Sequence, residues 1–529
     1  MELQGTSLIG GGRGASAGGE MRAVNPATGE ELEPSYFTAS RAEIDEAVAL
    51  ATEAAGPYGR LSGKERAVFL RAIADEIEAL GDALKERVMA ETALPEPRVL
   101  GETARTAGQM RLFADVIDEG SWVRARIDHG DPDREPMSKP DMRSMLRPVG
   151  PVVVFGASNF PLALSTAGGD TASALAAGNP VIVKAHPAHL GTAEMMGQAV
   201  RAAVKKCGMP DGVFSLLFGL GNQLGEVLVQ HPDVKAVGFT GSLKGGRALM
   251  DLAAARPEPI PFFAEMGSIN PVFILPEALA ERGEAIAAGL QGAVNLGVGQ
   301  FCTNPGMVVL DAASDGSGLV EKLTGSMGET PVAAMLTEGI SEAYKAGVAS
   351  VAGTEGMKVL AGGKGSGDGA GFGAEAALFE ISGEAFLANP ELRHEVFGPS
   401  TILVKPSGKE EALAIARSME GNLTATVHGT EADIEANREL IELLEKKVGR
   451  LVFNGYPVGV EVGHATVHGG PYPASADGQS TSIGTMSIYR FARPVAWQDA
   501  PESILPQELQ EANPLGISRM VEGKLEAGS

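Results

Sequence analysis

Cysteine is nearly absent from this chain of 529 residues: only Cys207 and Cys302 occur. Two cysteines at this size rule out a disulfide framework, and the economy fits the reducing cytoplasm. Positive charge is also in deficit, with 43 Lys and Arg against 67 Asp and Glu and a formal net charge of −24. Nucleic acid and anionic membrane surfaces would repel such a chain, so neither is expected as a partner. No run approaches the roughly 18 continuous apolar residues of a membrane span. The segment from Met1 to Glu20 is Gly-rich and lacks a basic region followed by an apolar run, so it does not read as a signal peptide. No metal site is expected.

What is present is ordinary globular material, 44% hydrophobic and 21% charged. The length exceeds the roughly 250–300 residues at which single cores stop growing, which predicts at least two packed domains. Gly10 to Gly19 reads as a loose lead-in. Ala39 to Leu112 is helical in character. Ser40 stands as a cap before Ala47, Leu50, Ala51 and Ala54 at helical spacing, a second helix starts near Ser62, and a third runs from about Pro95 to Ile117. Ser121 to Pro148 is polar and proline-broken, and reads as a hairpin outside the main core.

From Val152 to His231 apolar strands alternate with helices. Val152–Phe155, Val181–Val183, Val213–Phe218 and Ala236–Phe239 read as buried strands. Leu162–Ala177, Thr192–Cys207 and Gln223–Gln230 read as the helices between them. Strands that are apolar throughout belong to a parallel sheet covered on both faces, the doubly wound nucleotide-binding architecture. A second alternating region spans Phe273 to about Phe453, and Ser482 to Trp497 is again strand-like.

Four segments can carry chemistry. Cys302 lies in Gly299-Gln300-Phe301-Cys302-Thr303, where glycines and polar neighbours suit a close-approach loop and a nucleophile. A small buried hydrophobe is the competing reading. Cys207, at a helix end, takes the inert reading. Glu265 ends the apolar run Phe263-Ala264 and is either a surface strand end or a buried carboxylate tuned as a general base. Asn159 follows the first strand in Gly156-Ala157-Ser158-Asn159-Phe160-Pro161, as a helix cap or as an oxyanion donor. Phe239 to Arg247 runs from strand through glycines into a helix, where backbone N–H groups can meet a phosphate. Gly219-Leu220-Gly221 offers a partial Gly-x-Gly, read as a turn.

In order, Asn159-Phe160-Pro161, Lys184, Phe239 to Arg247, Glu265 to Pro271, Gly299 to Cys302 and Glu395-Val396-Phe397-Gly398-Pro399 resemble the motifs of the aldehyde dehydrogenase superfamily along nearly the whole chain. The resemblance implies an α/β fold with a doubly wound NAD(P)-binding domain (1–121 and 148–266), an α/β catalytic domain (267–475), and a small β oligomerisation arm with the C-terminal tail (122–147 and 476–529). It implies that Cys302 attacks an aldehyde carbonyl and forms a thioester, that Asn159 and the Cys302 backbone N–H stabilise the oxyanion, and that Glu265 activates water. Lys184, Gly241, Ser242, Gly246, Glu395 and Phe397 would bind the cofactor. A homodimer, or a homotetramer built from dimers, is implied as well.

Ser158 stands where many members have Trp, and Gly267-Ser268-Ile269 where many have Gly-Gly-Lys. These departures, with 454–462, 468–473 and 102–109, resemble the branch containing bacterial α-ketoglutaric semialdehyde dehydrogenases and a bacterial fatty-aldehyde dehydrogenase. The implied reaction is oxidation of α-ketoglutaric semialdehyde to 2-oxoglutarate in sugar-acid catabolism. Many NAD-selective members carry Glu three positions after the Lys; Pro187 here favours NADP over NAD, although no Arg clamp follows in 219–224. Arg105 and Gln109, four apart on one helix face, together with Phe160, are the expected substrate contacts. A surface pair between Arg105 and Glu102 is the bland alternative. Rival readings are a broad aliphatic aldehyde dehydrogenase, a CoA-acylating enzyme, a cysteine hydrolase using Cys302 with His464 or His468, and a non-enzymatic structural protein.

Overall fold

Runs of Val, Ile and Phe set the frame. The structure is a computed structural model that describes residues 2–219, 223–310, 316–363 and 371–528. Val152–Phe155, Val181–Lys184, Phe214–Leu217, Ala236–Thr240 and Phe262–Glu265 form a parallel sheet in the spatial order Phe262–Glu265, Ala236–Thr240, Val152–Phe155, Val181–Lys184, Phe214–Leu217. Val153, Ile182 and Val237 are fully buried, each stabilising the fold by roughly 1.5–3 kcal/mol relative to exposure. Helices Gly169–Ala177, Leu190–Cys207, Gln223–Gln230 and Leu243–Ala254 alternate with these strands, as expected.

The N-terminal helices start where the sequence places them. Ser40 Oγ accepts from Glu43 N at 3.3 Å while Glu43 Oε2 accepts from Ser40 N at 2.6 Å, a reciprocal capping box; Ser62 and Glu65 repeat it.

Three local readings are corrected. The Gly-rich lead-in is not loose: Leu8–Ile9 pairs antiparallel with Phe214–Leu217 and extends the sheet, and Gly12–Arg13 pairs in turn with Leu8–Ile9. Buried Glu194 holds it, accepting from Gly5 N at 3.0 Å and from Arg13 Nη1 at 2.8 Å. The helix expected over Leu162–Ala177 begins only at Gly169. Glu102 Oε1 takes the N–H groups of Leu162 and Ala163 at 2.9 and 3.0 Å, fixing that stretch as a loop. The tail from Ser482 turns through a short 3-10 segment, Thr485–Phe491, before the strand Ala492–Gln498. The buried Arg490–Asp170 ion pair anchors the turn to helix Gly169–Ala177. Leu220 and Gly221 of the Gly-x-Gly turn lie outside the described residues.

A second seven-stranded sheet follows the order Lys358–Ala361, Ala377–Ser382, Ser400–Lys405, Met307–Leu310, Val272–Ile274, Asn422–His428, Val448–Phe453, parallel except for its first strand. A five-stranded sheet joins Ala492–Gln498, Met142–Pro148, Arg126–Asp128, Arg519–Val521 and Lys524–Glu526. No helix among the described residues is long and apolar enough to cross a membrane.

Candidate active site

The carboxyl ends of the first sheet's strands open onto a cleft of about 780 Å³. Its wall includes Asn159, Ser242, Glu265, Cys302, Glu395 and Phe397. Residues more than 200 positions apart in sequence thus meet at one place, where open α/β sheets bind ligands.

The loop that leads to Cys302 has an unusual backbone. Gly297, Val298 and Gly299 all have positive φ, at 57°, 59° and 64°. A Cβ on Gly299 would lie 2.2 Å from the Gly398 carbonyl carbon, so only glycine permits the contact between this loop and the Glu395–Pro399 segment. Asn270 Nδ2 donates to Cys302 O at 2.8 Å and to Asn304 O at 3.0 Å. Asn422 Oδ1 in turn accepts from Ile269 N at 2.9 Å. Asn159 Nδ2 donates to Gln300 O at 2.9 Å. The Cys302 loop is therefore held directly by two side-chain amides, Asn159 and Asn270, with Asn422 bracing the segment that carries Asn270.

Glu265 ends strand Phe262–Glu265 and is buried. Its Oε1 lies 3.0 Å from His468 Nε2, and its Oε2 accepts from Ser482 Oγ at 2.9 Å. His468 Nε2 also lies 3.5 Å from Cys302 Sγ. Burial pushes the Glu265 carboxyl up, but the adjacent imidazole and the hydrogen bonds from His468, Cys302 and Ser482 outweigh it and hold the group below its ordinary value. Burial, reinforced by Glu265 and Glu395, raises the Cys302 thiol well above its ordinary value, with Arg105 opposing. Burial raises Glu395 to about 8, against a Ser268 N–H donor and with Glu265 adding repulsion.

The cleft fits a dinucleotide. Ser242 caps helix Leu243–Ala254, accepting from Gly245 N at 3.2 Å, so that the helix's positive end faces the cleft. A Cβ at Gly241 would meet Phe239 at 2.8 Å, and one at Gly246 would meet Met266 at 2.7 Å, so both glycines let the backbone pack tightly at this turn. Lys184 ends strand Val181–Lys184; it is not a wall residue, but His186, Pro187 and Ala188 beside it are. Burial, with no acid to offset it, lowers the Lys184 ammonium to about 8, so this half-buried cation suits an anionic partner.

On the far side of Cys302, Phe160 packs edge-on against Phe301 with centroids 5.3 Å apart. The Arg98 guanidinium lies 4.4 Å from the Phe160 centroid and that of Arg105 lies 5.7 Å away. Glu102 pairs with Arg98 at 3.1 Å, not with Arg105 as the alternative reading had it. Arg105 Nε has no hydrogen-bond partner. Gln109 is a correction: it is buried and donates to Ala163 O at 3.1 Å, bracing the loop instead of facing an open space.

The sequence reading missed His468 as a partner of Glu265, and also Asn422 and Ser482. Among the described residues one group, Glu265, Cys302 and His468, brings potential metal-ligand atoms within 4.8 Å of one another, which spacing along the chain does not reveal.

An α/β enzyme with a half-buried cysteine, a carboxylate and an amide at the mouth of a dinucleotide cleft is the class these features define. Residues 14–488 match the model of the aldehyde dehydrogenase family, and the chain belongs to that family. It is 50% identical over 529 residues to an α-ketoglutaric semialdehyde dehydrogenase of Azospirillum brasilense, covering 99% of this chain and 100% of that one. It is 42% identical to an α-ketoglutaric semialdehyde dehydrogenase of Acinetobacter baylyi, over 99% of both chains. A Thermus 1-pyrroline-5-carboxylate dehydrogenase solved with bound NAD shares the fold, with a TM-score of 0.78 and 21% identity over 93% of this chain and 92% of that one. The chain is therefore an oxidoreductase that oxidises an aldehyde with a nicotinamide cofactor.

Proposed function

We propose that the aldehyde is α-ketoglutaric semialdehyde and the product 2-oxoglutarate, with Arg105 binding the substrate's distal carboxylate. The observation that carries this is the half-buried Arg105 near the Phe160 ring, whose Nε has no hydrogen-bond partner while Glu102 is paired with Arg98. The two relatives that bear the same name support it.

Cys302 loses its thiol proton to the Glu265–His468 pair and attacks the aldehyde carbon. The Asn159 amide has two N–H donors. One holds Gln300 O, and the other is assigned to the carbonyl oxygen as it gains charge. A bound nicotinamide would supply the hydride acceptor, and Cys302 would then hold the oxidised acyl group as a thioester. Once the pair has released the thiol proton to solvent, Glu265 removes a proton from water as the water attacks the thioester, and Cys302 departs as thiolate. His468 and Ser482 hold the two Glu265 oxygens in place for that step.

Pro187 at the position of a discriminating acid, with Lys184 close by, favours NADP. The strand Ala492–Gln498 ends its sheet with one edge unpaired among the described residues, which supports a homodimer or a tetramer of dimers through this arm. Two free thiols suit the cytoplasm. Val458, Val460 and Val462 beside Phe160 favour a second reading, oxidation of aliphatic aldehydes.

Steady-state kinetics with the semialdehyde and with hexanal, each with both cofactors, separates these readings. A kcat/KM for the semialdehyde about 100-fold above that for hexanal is expected from one charge-assisted contact. Equal values would withdraw the substrate assignment.

A further inference from the structure

The reactive centre also has the composition and spacing of a zinc site. Zinc bonds of about 2.3 Å to sulfur and 2.0–2.2 Å to nitrogen and oxygen, at tetrahedral angles, place sulfur and nitrogen about 3.6 Å apart and nitrogen and oxygen about 3.4 Å apart. Cys302 Sγ and His468 Nε2 are 3.5 Å apart, and His468 Nε2 and Glu265 Oε1 are 3.0 Å apart. The Glu265 and His468 side chains are each 1% exposed. Glu265 Oε1 and His468 Nε2 share one buried contact, so an ion that replaced the proton between them would meet both groups at the same point. Thiolate, imidazole and carboxylate together select zinc over magnesium or calcium. Ser482 Oγ, 2.9 Å from Glu265 Oε2, orients the carboxylate from behind.

We propose that Glu265, Cys302 and His468 form a reversible inhibitory site for zinc. Binding releases the Cys302 thiol proton to solvent, and the thiolate, His468 Nε2 and a Glu265 oxygen coordinate the ion. Water occupies the fourth position, on the cleft side. The metal keeps its charge and no electron moves. The sulfur is then unavailable to the aldehyde, so zinc and substrate exclude one another. This rests on the reading of Cys302 as nucleophile only for the inhibition itself.

The test uses the full-length protein freed of metal with a chelator. Zinc, magnesium and calcium chloride are titrated separately by calorimetry, and alkylation of Cys302 and Cys207 by iodoacetamide is followed by peptide mass spectrometry. One zinc per chain is expected, with Cys302 alkylation slowed at least about tenfold, Cys207 unaffected, and full reversal by EDTA. His468→Ala should weaken zinc at least about tenfold, because even residues outside the coordination shell carry about 10- to 100-fold in affinity. His468→Cys, which restores a ligand, should regain the protection and guards against loss of fold in the alanine variant. Zinc binding that leaves Cys302 alkylation at its free rate would overturn the proposal. So would equal zinc affinity in His468→Ala, or protection by magnesium as strong as by zinc. The alkylation readout holds even if the semialdehyde proves to be the wrong substrate.

Discussion

The two sides of Cys302 are built from different materials. The cleft side is mostly backbone: the Ser242-capped helix end and the glycines at Gly241 and Gly246 that let chain segments pack closely. The far side is side chains: Phe160 and Phe301 edge to face, with Arg98 and Arg105 against the Phe160 ring. Backbone surfaces suit a ligand common to many enzymes, since any sequence with the right turns supplies N–H groups. Side-chain surfaces suit the variable ligand, since single substitutions re-shape them. Chemistry belongs at the seam, and Cys302 and Glu265 stand there.

Substitutions at the seam should abolish turnover whatever either side binds. Cys302→Ser is expected to lower kcat by about 10³-fold or more, because an unactivated hydroxyl is a far weaker nucleophile than a thiolate; near-normal turnover would break the assignment outright. Glu265→Gln removes the base without removing bulk. It should slow steady-state turnover by about 10²- to 10⁴-fold, the usual worth of a positioned general base. Rapid-mixing absorbance should still show one equivalent of reduced cofactor formed per site if the first half-reaction survives. Survival of the burst would leave thiol activation to His468, and its loss together with turnover would show that Glu265 is needed for that step as well.

Arg105→Ala tests whether the far side alone selects the aldehyde. A charge-assisted hydrogen bond is worth about 1.5–3 kcal/mol, or about 10- to 150-fold. KM for the semialdehyde should rise within that range while hexanal kinetics and both cofactor KM values stay put. A parallel loss with hexanal would mean that the arginine shapes the site and does not read a carboxylate.

The cleft side was legible in the sequence because its requirements are local. A strand, a glycine turn and a capped helix occupy consecutive residues from Phe239 to Arg247, and periodicity marks the strands around them. Glu265, Cys302 and Asn159 were legible singly. Their mutual geometry was not, because it depends on Asn270 and Asn422 bracing a loop from a different sheet. His468 was weighed only as a hydrolase base, since a histidine in a Gly-rich loop has no periodic signal and its partner lies 203 positions earlier. Gln109 shared a helix face with Arg105, as its spacing implied, yet its amide is committed to Ala163 O. Spacing fixes a face, and packing decides what that face meets. The helix expected over Leu162–Ala177 failed for a similar reason: a buried carboxylate from a distant helix, Glu102, claimed the N–H groups of its first residues.

The smallest expected effect lies at Lys184, beside the cleft residues His186, Pro187 and Ala188, where one side chain is proposed to supplement the backbone. Burial lowers Lys184 to about 8, so in the free enzyme it is an ammonium below that pH and neutral above it. A 2′-phosphate gains from the ammonium, and a 2′-hydroxyl gains far less. kcat/KM reports ionisations of the free enzyme, and the ratio of kcat/KM for NADP to that for NAD cancels every group shared by the two reactions, Glu395 included. That ratio is expected to fall several-fold between pH 7 and pH 9, as about one exposed-to-partly-buried charge interaction is lost. Lys184→Met at pH 7 should already show the low ratio and no further fall with pH. A ratio flat from pH 7 to pH 9 in the unsubstituted enzyme would remove Lys184 from cofactor choice and leave the cleft side to backbone alone.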